Sequence, residues 1–149
     1  MYQRIVVPLD GSDNAEIALT EAESLARMTH ASLHLIRVIE FTREDRIALY
    51  STMTDSATIL ADEVDSAKQY LDVLVRRISA EGMRVNSEVR TGAVAAELVK
   101  AARVGDLYVM ASHGRSGVPR WFMGSIAEDV VRRSTVPVLL VKTSSYARA

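Results

Sequence analysis

Five short apolar runs, separated by amphipathic stretches of helical period, constrain this chain more than any other feature. The runs are Arg4–Val7, Ser32–Val38, Val85–Arg90, Leu107–Ala111 and Val136–Val141. Ile5-Val6-Val7 and Val138-Leu139-Leu140-Val141 are continuous rather than alternating, the pattern of strands buried on both faces. Between the runs, residues 13–28 place Ala15, Ala18, Leu19, Ala22, Leu25 and Ala26 on one helical stripe. Residues 58–81 repeat the pattern with Leu60, Val64, Ala67, Leu71, Leu74 and Ile78. Residues 93–103 do so with Val94, Leu98 and Ala101, and residues 125–133 with Ile126, Val130 and Val131. Strands alternating with helices predict right-handed crossovers and a parallel sheet with helices on both faces.

Composition narrows the class. The chain has 149 residues and no cysteine, which excludes a disulfide scaffold, a thiolate metal site and a cysteine nucleophile, and fits a reducing cytoplasm. Its longest apolar runs fall far short of the roughly 20 residues that span a bilayer. The opening Met1–Arg4 leads into a run ended by Pro8, too short for a signal peptide. Lys and Arg number 18 against 19 Asp and Glu, without the basic excess of a nucleic-acid binder. One domain over 1–142 is expected, followed by a polar tail, 143–149, that frays. Residues 41–57 form a connection longer than the usual 2–6 residues, read as a solvated loop or a partly helical lid.

In a doubly wound sheet, ligands bind beyond the carboxyl ends of the strands, where strand order reverses. Two segments stand there: Pro8-Leu9-Asp10-Gly11-Ser12, and Ala111-Ser112-His113-Gly114-Arg115-Ser116-Gly117. Pro8 lacks an N–H and suggests that the first strand ends at Val7. Asp10 either points a carboxylate at a ligand's hydroxyls or base, or starts a turn and helps cap the next helix. Three of the seven glycines, Gly114, Gly117 and Gly124, lie within residues 114–124. Gly114 and Gly117 allow close backbone approach. Gly124-Ser125 opens a helix whose N-terminus attracts phosphate, and Ser125 to Glu128 reads as a capping box. Arg115 and Arg120 add charge. These features form a phosphate cradle, or glycines that turn a loop; neither a Walker A nor a Gly-x-Gly-x-x-Gly motif occurs.

These residues resemble the universal stress protein family over nearly the whole chain. The resemblance rests on Ile5-Val6-Val7-Pro8-Leu9-Asp10-Gly11-Ser12, on Ile36-Arg37-Val38-Ile39, and on the block from Val109 to Lys142. Members that bind ATP carry Gly, two residues, Gly, nine residues, Gly, then Ser or Thr. Here these positions are Ala111, Gly114, Gly124 and Ser125, so Ala111 departs from the pattern. The resemblance implies a Rossmann-like, adenine nucleotide alpha hydrolase-like sheet of order 3-2-1-4-5. It implies ATP as ligand, with any magnesium arriving on the phosphates and touching Ser125. Its site would comprise Pro8, Leu9, Asp10, Val38, Ala111, His113, Gly114, Arg115, Gly117, Gly124, Ser125 and Ile126. Asp10 would contact the adenosine, Val38 would read the adenine edge through its backbone, and Ala111, Gly114, Gly124 and Ser125 would meet the ribose and phosphates. If Ala111 has negative φ, its methyl is close to neutral, and ATP binding is expected to survive.

Further expectations follow. His113, Ser125 and Asp10 supply the residue types of a catalytic triad, but no Gly-x-Ser-x-Gly elbow accompanies them. His30 and His34 read as structural, and no metal-ligand spacing occurs. Trp121-Phe122-Met123 reads as packing that anchors its loop, with a partner contact as the alternative. The last run, containing Pro137, suits an exposed edge that a second copy would close by two-fold symmetry; the resemblance also points to a homodimer through Val136–Val141. The resulting expectation is a cytoplasmic stress-response regulator switched by nucleotide. Its rivals are a slow ATPase or phosphotransfer enzyme, and a family member that binds no nucleotide and acts on a protein partner.

Overall fold

A computed structural model of the chain describes residues 1–52, 55–113 and 123–143. The elements are β1 (Arg4–Pro8), α1 (Asp13–Thr29), β2 (Ser32–Glu40), α2 (Arg43–Thr52), α3 (Asp55–Ala80), β3 (Val85–Gly92), α4 (Val94–Ala101), β4 (Asp106–Ala111), α5 (Ser125–Arg133) and β5 (Val138–Val141). All strand pairs are parallel, in the order β3-β2-β1-β4-β5, as the resemblance implied. No helix among the described residues is long and apolar enough to cross a membrane.

The runs of β1, β2 and β4 are largely buried on both faces, whereas the run Val138–Val141, expected to be buried likewise, is an edge strand in which only Val141 is buried and Leu139 is 41% exposed. Odd-numbered residues Ile5, Val7, Leu33, Leu35, Leu107 and Val109 pack with Ala15, Ala18, Leu19 and Ala22 of α1 and Leu71 and Ile78 of α3. Even-numbered Val6, Ile36, Tyr108 and Met110 pack with Ala95 and Leu98 of α4 and Ala127 and Val130 of α5. Period two in the strands thus feeds two separate cores. A fully buried Leu or Ile such as Leu71 or Ile78 contributes about 1.5–3 kcal/mol by leaving water.

Turn chemistry sets the entry to α1. Gly11 adopts φ +81°, which only glycine reaches cheaply. Ser12 caps the helix, its Oγ accepting from Ala15 N–H at 3.2 Å. His30, read as structural, closes the helix in the left-handed region at φ 57°.

Several boundaries differ from the sequence reading. β1 includes Pro8, which pairs with Ile36 at the centre of the sheet. Leu9 N–H donates to Ile36 carbonyl at 2.8 Å, so the alternate residue Pro8 directs its nitrogen toward β4. Pairing with β4 has already stopped at Val6↔Tyr108, and the missing donor costs nothing. The 41–57 connection is mostly helix, with α2 followed by an early start of α3 at Asp55. Thr42 and Asp45 cap α2 reciprocally: Asp45 N–H donates to Thr42 Oγ1 at 3.2 Å and Thr42 N–H to Asp45 Oδ2 at 2.7 Å. These Thr42 bonds hold the Asp45 carboxyl below its ordinary value. The last strand begins at Val138 rather than Val136 and lies at the sheet edge. Thr143, assigned to the tail, is buried, whereas 144–149 lie outside the described residues.

The amino ends of the strands are held by paired polar groups. Arg4 binds Asp106 in bidentate fashion, Nε to Oδ1 at 2.8 Å and Nη2 to Oδ2 at 2.6 Å, joining β1 to β4. Asp106, 3% exposed, also accepts Arg103 N–H at 2.8 Å. His34 is buried against Asn86, with Nε2 3.2 Å from Glu88 Oε2.

Candidate functional site

The carboxyl ends present the opposite arrangement, an open cavity of about 850 Å3. Its origin lies in the strand register. Pairing of β1 with β2 stops at Pro8↔Ile36, while β2 runs on to Glu40; pairing of β1 with β4 stops at Val6↔Tyr108, while β4 runs on to Ala111. Peptide groups alternate sides along a strand. Ile36 carbonyl accepts from Leu9, so Val38 two residues later turns its peptide toward the same side, beyond the end of β1. Tyr108 N–H donates to the carbonyl of Pro137, just before β5, and Ser112 N–H to that of Val141 in β5, so the intervening odd residue Ala111 faces away from β5, toward β1. Two peptide edges therefore flank a gap that the short central strand leaves open, at the switch point where the chain turns from β2 on one side to β4 on the other.

The side chains expected from the sequence meet here. Pro8, Leu9, Asp10, Val38, Ala111, His113, Gly124, Ser125 and Ile126 all line this one cavity. Gly114, Arg115 and Gly117, with Trp121 and Phe122, lie outside the described residues. Met123, the last of the apolar run, packs against the core beneath α4 and α5.

Local geometry refines each residue. Asp10 does what its turn-forming alternative proposed and still lines the cavity. Its Oδ1 accepts from Ser12 N–H at 2.9 Å and from Ser12 Oγ at 2.5 Å, which locks the carboxylate against the α1 entry. Leu9 is buried and its N–H is bonded to Ile36, so it contributes wall rather than a donor. Ala111 is in β4 and is not among the non-glycine residues of positive φ; its methyl is accommodated without backbone strain.

The capping box read at Ser125 does not form, because the N-cap lies one residue earlier. Gly124 is the N-cap of α5 and makes no side-chain cap bond, and Ser125 is the first helical residue. A tertiary bond decides this: Gly124 N–H donates to Ser112 carbonyl at 2.8 Å, while Gly124 carbonyl accepts Glu128 N–H at 2.9 Å. Glu128 instead accepts from Arg132 at 2.7 Å. A Cβ on Gly124 would stand 3.3 Å from Ser112 carbonyl oxygen, so this glycine permits a close approach of two backbone segments. Ser125, exposed at the helix N-terminus, directs no hydroxyl into a cap.

The triad alternative finds no support in these contacts. His113 Nδ1 lies 3.0 Å from Ser112 Oγ, and Asp10 is bonded to Ser12. Among the described residues no group of three or more His, Cys, Asp or Glu is placed to hold a metal.

Sequence reading missed one wall. Arg37 and Glu40 of β2 and Ile59, Asp62, Glu63 and Ser66 of α3 also line the cavity. The Arg37 guanidinium lies 5.3 Å from the centroid of the Tyr70 ring. Tyr70 hydroxyl donates to Glu16 Oε1 at 3.1 Å; burial foremost, then the nearby Glu16 charge, push it up to about 12. The only sequence signal was an arginine set between the apolar residues Ile36 and Val38.

A parallel sheet of order 3-2-1-4-5 with a cavity over its short central strand defines a doubly wound α/β protein with a switch-point site. The chain belongs to the universal stress protein family, whose profile matches residues 1–142. Universal stress protein MJ0531 of Methanocaldococcus jannaschii is 30% identical over 145 residues, covering 95% of this chain and 83% of that relative. Universal stress protein MJ0577 of the same organism is 28% identical, covering 95% and 96%. The solved structure of MJ0577 superimposes with a TM-score of 0.83 over 96% of this chain and 97% of that one, at 28% identity. A universal stress protein solved in complex with cAMP gives 0.68 at 28% identity, covering 96% and 99%.

Proposed function

We propose that the switch-point cavity binds an adenine nucleotide, ATP in the first instance, and that its occupancy makes this protein a nucleotide-dependent regulator in the cytoplasmic stress response. The observation that carries the reading is the convergence of Asp10, Val38, Ala111, Gly124 and Ser125 on one cavity. Asp10 is fixed to accept hydrogen bonds from a ribose, the Val38 peptide faces the base end, and the Ala111 peptide lies between. Gly124 and Ser125 bring the N-terminus of α5, with its free N–H groups and partial positive charge, to the phosphate end. Gly114, Arg115 and Gly117 would complete that end. A relative of the same fold solved with cAMP supports an adenine nucleotide as the ligand class. Magnesium would enter with the phosphates, within reach of the Ser125 hydroxyl.

The β5 edge supports a homodimer. Leu139 there is 41% exposed and the edge carries only apolar side chains, an arrangement that antiparallel pairing with a second copy would cover. Sedimentation of the wild type and a Leu139→Lys variant tests this, with a dimer and a monomer expected respectively. For the nucleotide, mass spectrometry of small molecules released from the purified protein is the direct experiment. An adenine nucleotide at near one equivalent supports the reading. Protein free of nucleotide that also fails to bind added ATP overturns it.

A further inference from the structure

Three arginines among the described residues are partly buried: Arg4, Arg37 and Arg90. Arg4 is clamped by Asp106, and Arg90 by Glu97 and Glu88 at 3.0 and 2.9 Å. Arg37 differs. Its guanidinium rests over Tyr70 and has no ion pair or hydrogen bond with any described side chain. This is not for want of carboxylates: Asp10, Glu40, Asp62 and Glu63 line the same cavity as Arg37. A guanidinium carries five donors in a rigid plane. Here it is held by an aromatic ring that is itself anchored to Glu16 and that does not line the cavity, whereas Arg37 does.

We propose that Arg37, carried on Tyr70, is the surface against which the ligand's nucleobase is seated, an inference that rests on the nucleotide reading of this cavity. The surroundings select this contact over one to phosphate. Three carboxylates, Glu40, Asp62 and Glu63, against one guanidinium make the β2–α3 end of the cavity locally negative, so an anionic group is repelled there and drawn to the N-terminus of α5 across the sheet. A neutral heteroaromatic ring suits Arg37 in two ways. Its π face stacks on the guanidinium plane, as bases do on arginine in nucleic-acid complexes, and its ring nitrogens accept from the fork. Arg37 is one residue from Val38, whose peptide faces the same end, so edge and face of one base would be read by consecutive residues of β2.

The test titrates AMP by calorimetry into wild type, Arg37→Lys and Arg37→Gln, and records the melting temperature of each. Lysine keeps the charge and loses the plane. Both variants are expected to bind AMP about tenfold more weakly or worse, about 1.4 kcal/mol, with unchanged melting temperatures. Lysine at wild-type affinity, with only glutamine weakened, means a charge contact to phosphate and overturns the proposal. Affinity unchanged in both variants makes Arg37 structural and overturns it equally. If wild type binds neither AMP nor ATP, the nucleotide reading itself fails, a result distinct from failure of the Arg37 contact.

Discussion

Arg4 and Arg37 occupy adjacent strands of one sheet, both partly buried, yet they face opposite chemical situations. At the amino ends, Arg4 meets Asp106 with two hydrogen bonds, and His34 meets Asn86 and Glu88. At the carboxyl ends, Arg37 and four carboxylates share a cavity in which the guanidinium takes none of them as a described partner. The paired end satisfies its charges internally and ties strands together. The other end keeps charged groups available at a gap made by the short β1. On the proposed reading, one sheet separates the residues that hold the fold from those that would meet a ligand, the division expected of open parallel sheets.

The largest test of this division is Arg4→Leu. It leaves the buried Asp106 carboxylate without its cation and should cost about 3–5 kcal/mol of stability in urea unfolding, with nucleotide affinity unchanged at temperatures where the variant is folded. A loss of affinity at full stability would dissolve the contrast. Tyr108 belongs to the stability side as well. It is fully buried, its hydroxyl donates to Leu98 carbonyl, and burial raises it to about 12. The unfolded phenol ionises near 10, so the neutral form preferred by the fold is fully stabilising below pH 10 and is lost as pH climbs from 10 to 12. That amounts to up to about 3 kcal/mol. Tyr108→Phe should be less stable at pH 8 but show a shallower alkaline decline in the same unfolding assay; an identical decline would remove Tyr108 as the cause.

On the ligand side, Gly124→Asp places a Cβ 3.3 Å from Ser112 carbonyl and a negative charge at the phosphate end. Calorimetry with ATP and magnesium should show affinity lower by at least about a hundredfold, or 2.7 kcal/mol, while the stability lost to the tight contact with Ser112 is partly offset because Asp is a good N-cap. Ser12→Ala gives the smallest effect and touches both sides. It removes the α1 cap and one partner of Asp10, and should cost about 1 kcal/mol of stability with a modest weakening of nucleotide.

The sheet was legible because strand burial on both faces leaves continuous apolar runs, and because α1 and α3 carry uninterrupted stripes. The convergence of residues on one cavity was legible where turn and glycine chemistry mark it, as at Asp10 and Gly124. Misreadings have local causes. Of the two readings of 41–57, a loop or a partly helical lid, the helical content is the one observed; α2, capped by Thr42 and Asp45, stays hidden in the sequence because none of its described side chains is buried. The start of α5 shifted because Gly124 is pinned to Ser112, a contact between segments that spacing does not encode. Arg37 was passed over because an arginine in a strand gives no sign of which face it takes or whether a carboxylate waits there; Tyr70 and Glu16, which support it, are distant in sequence.

The central claim is that the gap above β1 is a nucleotide site. Thermal unfolding of the wild type with and without ATP and magnesium tests it most directly. ATP at a hundred times its dissociation constant should stabilise the protein by about 2.7 kcal/mol, with a matching rise in melting temperature that Gly124→Asp abolishes. A melting temperature unmoved by millimolar ATP, in protein that carries no nucleotide from purification, would contradict it.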